Sequence, residues 1–529
     1  MTYEGTTNPD PAAHPSIASC AYDTAWVASL PDPDRPERPR FPAALEWVFE
    51  HQRPDGSWGG EIAYEHDRIL STLSALCAIT RFKGDARTTR AVESGQRYIW
   101  QHAHALSREP VELVGFELLL PTLQSRAARA GVRLPSYLDI YAEQRRRKLA
   151  MIPSDLLYSP KVTIVHSLEF LGDEVDVDRL ASVQWENGSV GSSPAATAFF
   201  LHKRESEAAV DYLRRCLELD GGAAVPVVHP CETYDLLWSA YHHFLGGARG
   251  PGLLPEATIS ALRAALDAGE GISASATFPL PDADDTAVAM LLLRSMGYDV
   301  KPDALSPFER DGHYASYPYE RHASSGVNMH VLDTLKWMPS TQERDMKIGR
   351  ILTFLADTRT HGTYWIDKWH ISPYYATAHA LAALADLPEP HSHVADELAR
   401  TALDWVRQTQ NADGSWGFYD RPTAEETAYG VLALRHARRL ALPGDDWRLE
   451  LAVDYLLSQQ GAEHPPLWIE KCLYTPRNIV NAAIDAALQG ASRRRVSEVR
   501  FLGTPDPLPR ELAAGGGSAR KRGPRGGRR

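Results

Sequence analysis

Two stretches of the chain carry the same pattern of apolar and polar positions. FPAALEWVFEH begins at Phe41 and ARTALDWVRQT at Ala399. In both, apolar residues recur at spacings of three and four, the period of a helix with one buried face. Each runs into a turn, HQRPDGSWGG from His51 and TQNADGSWGF from Thr409, with a degenerate copy, VQWENGSVGS, from Val183. The Asp-Gly step predicts a tight turn, because glycine tolerates positive φ, and the tryptophan folds back to pack. A second repeated pattern starts with a short polar step and then stays apolar on every face. It reads AYDTAWVASL, AATAFFLHK, ADDTAVAMLLL, YATAHALAAL and EETAYGVLAL. Strand-like alternation is nearly absent. Repeated helical hairpins of this kind predict an all-α protein of toroids in which inner helices surround a cavity. The Gly- and Pro-rich stretch FLGGARGPGLLPEAT (Phe244–Thr258) sets a domain boundary near residue 250.

The chain has 529 residues, 43% of them hydrophobic, enough for two or more domains. Its net charge of −12 argues against nucleic acid as a partner of the body. No apolar run approaches the ~20 residues of a membrane span, and no leader pattern opens the chain. Cys20, Cys77, Cys216, Cys231 and Cys472 form no paired framework or CxxC pattern, so a reducing, cytoplasmic setting is expected. From about Arg493 the composition turns to Arg, Gly and Pro, which reads as a disordered basic tail.

Two helix starts invite comparison. In PTAEETAYGVLALR, from Pro422, Thr423 and Glu426 have the spacing of a capping box. Glu425 adds charge where the helix dipole favours it, so that element needs no chemistry. In PDADDTAVAMLLLR, from Pro281, Asp282 takes the cap and Asp285 the box position. Asp284 is then surplus. Like charges and apolar surroundings both raise a carboxyl pKa, so such crowding is costly to keep. A carboxylic acid held neutral in an apolar cavity is a strong proton donor, and a solvated acidic first turn is the alternative. By the same plain reading Asn328 is a helix cap, Lys148 part of a basic helix face, Lys368 a surface charge and His166 a core histidine.

Asp282-Ala283-Asp284-Asp285 is also a DxDD motif. Together with SIASCAYDTAWVASL from Ser16, the DGSWG turns and WIDKWHISPYYATAH from Trp365, it resembles the bacterial class II diterpene cyclases of copalyl diphosphate synthase type. The resemblance covers nearly the whole chain apart from the tail. It implies two α-barrels of the βγ type: residues 1–35 as the first helix of β, 36–252 as an inserted γ domain, 253–492 as β carrying DxDD, and 493–529 as tail. It implies that Asp284 protonates the terminal alkene of geranylgeranyl diphosphate, that Asp282 and Asp285 position it, and that Asn328 hydrogen-bonds it. Lys148 and Lys368 would hold the diphosphate, and Glu109 and Glu112 would hold Mg²⁺. His166 and Asp220 would hold the water that takes the last proton. Trp365, Trp369, Tyr374, Tyr375 and Trp416 are candidate cavity walls that steady cations. The product would be copalyl diphosphate, ent- favoured, with clerodane or halimane diphosphates of kolavenyl or terpentedienyl type left open by Asp220. A class I synthase or a phosphatase would act next.

Two rivals are weaker. A squalene–hopene type triterpene cyclase would need a longer chain and a membrane-docking patch. An α/α-barrel glycosidase using Asp and Glu pairs would lack lysines poised for diphosphate.

Overall fold

The computed structural model describes residues 16–501 apart from Lys83 and Arg321. Among them are eighteen α-helices, several 3₁₀ segments and one two-stranded hairpin. The first lobe holds α1 (Ala21–Ala28), α2 (Pro42–Glu50), α3 (Glu65–Ile79), α4 (Ala86–His102), α5 (Phe116–Arg129), α6 (Ile140–Met151), α7 (Pro194–Lys203) and α8 (Glu207–Glu218). The second holds α9 (Glu232–Leu245), α10 (Glu256–Asp267), α11 (Ala283–Ser295), α12 (Ser325–Lys336) and α13 (Gln342–Asp357). It continues with α14 (Pro373–Leu384), α15 (Ser392–Gln408), α16 (Ala424–His436), α17 (Asp445–Ser458) and α18 (Arg477–Phe501). The hairpin, β1 (Trp468–Ile469) and β2 (Leu473–Tyr474), pairs antiparallel just before α18.

Both lobes are closed rings. In the second, α9, α11, α12, α14, α16 and α18 pack in that order, and α18 returns to α9. In the first, α1, α3, α5, the 3₁₀ segment Thr163–Glu174 and α7 pack in order, and α7 returns to α1. Burial explains the two kinds of helix. Every residue of α3 and α14 is buried, as inner positions demand. By contrast α15 buries one stripe, with Ala395, Leu398, Ala399, Ala402, Leu403 and Val406 at helical spacing, and covers the ring from outside.

The repeats have a common local cause. The threonine of each inner start takes a backbone N–H from the loop before it: Ile272 gives one to Thr286 at 2.8 Å, Trp416 to Thr427 at 3.1 Å and Val190 to Thr197 at 2.9 Å. The tryptophan then reaches back to the outer helix. Trp58 Nε1 donates to Val48 O at 2.6 Å, and Trp365 and Trp416 donate to Leu355 O and Val406 O, both at 2.8 Å. The Asp-Gly turn is the hinge of the unit, since Asp413 Oδ1 accepts from Ser415 N at 3.1 Å and Gly414 sits at φ 89°. A Cβ on Gly414 would lie 2.4 Å from a backbone carbon of Leu451, so only glycine fits.

The boundaries differ from those the resemblance implies. Helix α1 completes the first ring rather than the second, because α3 and α7 bury its apolar faces. Helix α9, expected in the first domain, belongs to the second ring, so the break falls between α8 and α9 and not near residue 250. Residues 493–501, expected in the tail, continue α18. The rest of the expected tail, 502–529, lies outside the described residues. Among those described, no helix is long and apolar enough to cross a membrane.

Candidate active site

Helix α11 starts inside the second ring with its three aspartates doing three different things. Asp282 caps it, its carboxylate accepting from Asp285 N at 2.8 Å. Asp285 Oδ1 accepts from the indole of Trp238, on α9, at 2.9 Å. The expected capping box is therefore only half formed, since Asp285 turns to Trp238 and Asp282 N donates to Ile272 O. Asp284 points elsewhere. Its Oδ1 lies 2.7 Å from His330 Nδ1, and its side chain keeps 14% of its surface accessible. Among the described residues Asp284 Oδ2 has no hydrogen-bond partner.

Burial, then the charges of Asp285 and Asp284, push the Asp282 carboxyl well above its ordinary value. Burial likewise lifts Asp285 to about 7, against the pull of the Trp238 donor. His330 is held hard in place. Trp238 and Tyr241 meet its ring edge-on, with centroids at 4.8 and 5.5 Å, and its Nε2 lies 2.9 Å from His379 Nδ1. Burial and neighbouring imidazoles keep His379 well below the usual histidine range, so it stays neutral.

Asn328 does not touch Asp284. Its Oδ1 accepts from Tyr314 N at 2.9 Å, and its amide donates to Tyr314 O and Ser324 O at 3.0 and 2.8 Å. The amide is spent on fixing the loop ahead of α12, and His330, two residues on, meets the acid. A histidine following the expected asparagine at that distance was the available signal.

The glutamate copy also differs from expectation. Glu425 is fully buried and its Oε1 takes Trp468 Nε1 at 2.8 Å, His370 Nε2 at 3.1 Å and Tyr429 OH at 3.3 Å. It is an interior hub, not a dipole charge in water. Glu426 accepts from Ser372 Oγ at 2.7 Å and Phe418 N at 2.9 Å, so its capping box too is half formed.

The aromatic candidates separate by direction. Trp365 and Trp416 are the staples to outer helices described above, and Tyr374 stacks on Trp405 of α15 at 4.7 Å, so none of the three faces the ring interior. Tyr375 does, stacking on His370 at 4.7 Å and meeting Trp468 and Tyr429 at 5.1 and 5.4 Å. Trp369 is half-buried beside Lys368, whose Nζ lies 5.0 Å from its ring. Lys368 ion-pairs with Glu320 and donates to His322 O at 3.0 Å, and Lys148 ion-pairs with Glu117.

The proposed metal ligands are not gathered. Glu109 faces the Glu65 amide at 3.4 Å and is lifted to about 7 by burial, while Glu112 lies by Glu117 and Lys148. Among the described residues the tight group of three potential ligands is Cys20, Asp23 and Cys472. Glu109 and Glu112 are not part of it, so they form no three-ligand cage among the described residues.

His166 lies in the first ring, its Nδ1 2.7 Å from Gly191 O. Its neighbours are Glu470 and Lys471 of the hairpin; Asp220, half-exposed in the turn after α8, is not among them. The expected pair is thus replaced. Lys471 itself is fully buried, donating to Glu169 and His166 O, each at 3.0 Å, and lying 3.5 Å from Asp23. Asp23, from the YDTAW segment, is raised to about 6 by burial despite Lys471 and also takes Ala195 N at 2.9 Å.

A closed α/α ring with an aspartate triad at an inner helix start is the arrangement of class II terpene cyclases, and comparison with known proteins agrees. The squalene-hopene cyclase C-terminal domain family matches residues 321–475. A type B diterpene cyclase of Mycobacterium tuberculosis is 33% identical over 89% of this chain and 95% of its own. An ent-copalyl diphosphate synthase of Streptomyces sp. (strain KO-3988) is 32% identical over 86% and 89%. The solved ent-copalyl diphosphate synthase from Streptomyces platensis superposes with a TM-score of 0.73 at 29% identity, covering 89% of this chain and 95% of that one. The chain belongs to the bacterial class II diterpene cyclase family.

Proposed function

We propose that this enzyme cyclises geranylgeranyl diphosphate to a bicyclic diphosphate, with Asp284 as the proton donor and the diphosphate retained. One observation carries the reading: Asp284 is held at 2.7 Å by His330 inside the ring and yet keeps part of its surface accessible. His330 occupies Oδ1, so the proton to be delivered rides on Oδ2, the oxygen left without a partner. The π bond of the terminal alkene takes that proton, and the successive alkenes of the chain close onto the cation. Tyr375, Tyr429 and Trp468 would face the passing charge, worth about 1–2 kcal/mol per ring when water is excluded. Lys148 and Lys368 would exchange their carboxylate partners for diphosphate oxygens.

The relatives named for ent-copalyl diphosphate synthesis favour that product. A second reading, a rearranged clerodane or halimane diphosphate, draws on the replacement of the expected His166–Asp220 pair by His166–Glu470. A (−)-kolavenyl diphosphate synthase of Salvia divinorum is 33% identical over 67% of this chain, which spans 45% of that relative. In either case the retained diphosphate requires a class I synthase or a phosphatase downstream, and the setting would be cytoplasmic.

Incubation with geranylgeranyl diphosphate, phosphatase treatment and gas chromatography–mass spectrometry should yield a bicyclic alcohol. Asp284→Asn should return only geranylgeraniol with an unchanged melting temperature. Unchanged geranylgeraniol from the wild-type protein would overturn the reading.

A further inference from the structure

The hairpin tip of the second lobe enters the first beside His166. Glu470 Oε2 lies 3.3 Å from His166 Nε2, and the approach lacks the alignment of a hydrogen bond, so both atoms are buried with no such partner. The backbone of Glu470 is fixed from both sides: its carbonyl takes Val114 N at 3.0 Å and its amide donates to Cys472 O at 3.0 Å. Its side chain, 19% exposed, is a carboxylate placed at the seam of the two lobes.

We propose that Glu470 is the group that takes the final proton from the cyclised cation, with His166 as its positioning partner. The proposal rests on the cyclase reading above. In this step a C–H bond next to the last cationic carbon breaks. Its electron pair becomes the new π bond that fills the cation, and its proton moves to a carboxylate oxygen of Glu470. One proton enters from Asp284 and one leaves to Glu470, so substrate and product are isomers, and exchange with water resets both groups. A C–H beside a cationic centre is strongly acidic, so a carboxylate is base enough.

Three features suit Glu470 to this task. Burial disfavours its charge, but His166 and Lys471 outweigh that cost and hold its carboxyl below the usual range, so it stays an anion. Burial also works against the His166 imidazolium, yet Glu470 and the Gly191 carbonyl prevail and raise its pKa. Finally, the charge of Glu470 reaches the same buried phenol, that of Tyr317, as the charges of Asp282 and Asp285. Burial and then the charges of Asp282, Asp285, Glu320 and Glu470 push that phenol well above its ordinary value.

Glu470→Gln tests this in the full chain, because Lys471 keeps Asp23 and Glu169 and the seam stays joined. Geranylgeranyl diphosphate should still be consumed, with turnover down by about 10²-fold. The product should carry a hydroxyl or a displaced alkene. The wild-type product at the wild-type rate, or a folded variant that consumes no substrate, would overturn the proposal. Should the melting temperature show that the Gln variant fails to fold, Glu470→Asp carries the same test: a product mixture supports the proposal and a single unchanged product overturns it. If the wild-type protein leaves geranylgeranyl diphosphate untouched, the cyclase reading falls; if it cyclises and both variants match it, only the role of Glu470 falls.

Discussion

Asp284 and Glu425 hold equivalent places in two copies of one helix start. Each stands two residues before the threonine, Thr286 or Thr427, that takes the N–H of the preceding loop. Both carboxylates serve the interior of the same ring, and their partners divide the labour. Asp284 meets one imidazole and keeps an oxygen free, whereas Glu425 Oε1 gathers an indole, an imidazole and a phenol. Glu425, whose other oxygen is sealed in the interior, holds the wall together, whereas Asp284 stays partly accessible and is left to react.

Glu425→Ala should accordingly lower the melting temperature, at a cost of about 1–3 kcal/mol for donors left unpaired in a dry interior. Glu425→Gln, which keeps an accepting oxygen, should cost less. A Glu425→Ala protein that melts with the wild type would show that Trp468, His370 and Tyr429 do not depend on it.

His330→Ala should reduce kcat by about 10²-fold while KM for geranylgeranyl diphosphate changes little, because the imidazole orients the acid. A variant that loses affinity and keeps kcat would remove His330 from the proton-delivery geometry. The split between the two constants separates this role from simple packing.

Glu426 gives a pH signature. Burial lifts its carboxyl from 4.5 to about 7, so between those values the folded protein holds a proton that the unfolded chain has released. Stability from this group is therefore lost as pH rises through that window. Glutamine does not titrate. The melting temperature of Glu426→Gln, measured against wild type, should climb from about pH 4.5 to about pH 7. A difference that stays flat would mean that Glu426 is not the group protonated there.

Lys368→Ala should raise KM for the diphosphate substrate by about tenfold or more, with a smaller effect on kcat, since a charge-assisted bond to phosphate contributes about 1.5–3 kcal/mol. EDTA added without substrate should leave the melting temperature where it is, because Glu109 and Glu112 are not gathered for a resident ion. A drop on chelation would show that some metal is built into the fold.

The repeats were legible because a local rule generates them. Asp-Gly, the returning tryptophan and the helix-start threonine each act within about one turn and its neighbour, so the linear pattern announces the hairpin. The aspartate cluster was legible for the same reason. What the line of residues hides is which partner arrives from across the ring. Asn328 and His330, two residues apart on α12, point to different sides of it, and the packing of Trp238 and Tyr241 holds the imidazole against Asp284. Glu425 looked like a charge placed for the helix dipole because its indole and imidazole partners come from a hairpin and a loop that sit far away along the chain. The placement of α1 was misjudged likewise, since its apolar faces say that it is buried but not in which ring.

Lys471 has a mechanical consequence. One ammonium with no contact with water is shared by Asp23 and Glu169 of the first lobe while its own backbone belongs to the second. Pulling the lobes apart would break that cation's bonds to both counter-charges at once and part groups that are held together in a dry interior. The molecule should therefore behave as a rigid mould and not as a pair of jaws: a flexible polyene must take the shape of the casting, because the casting will not give.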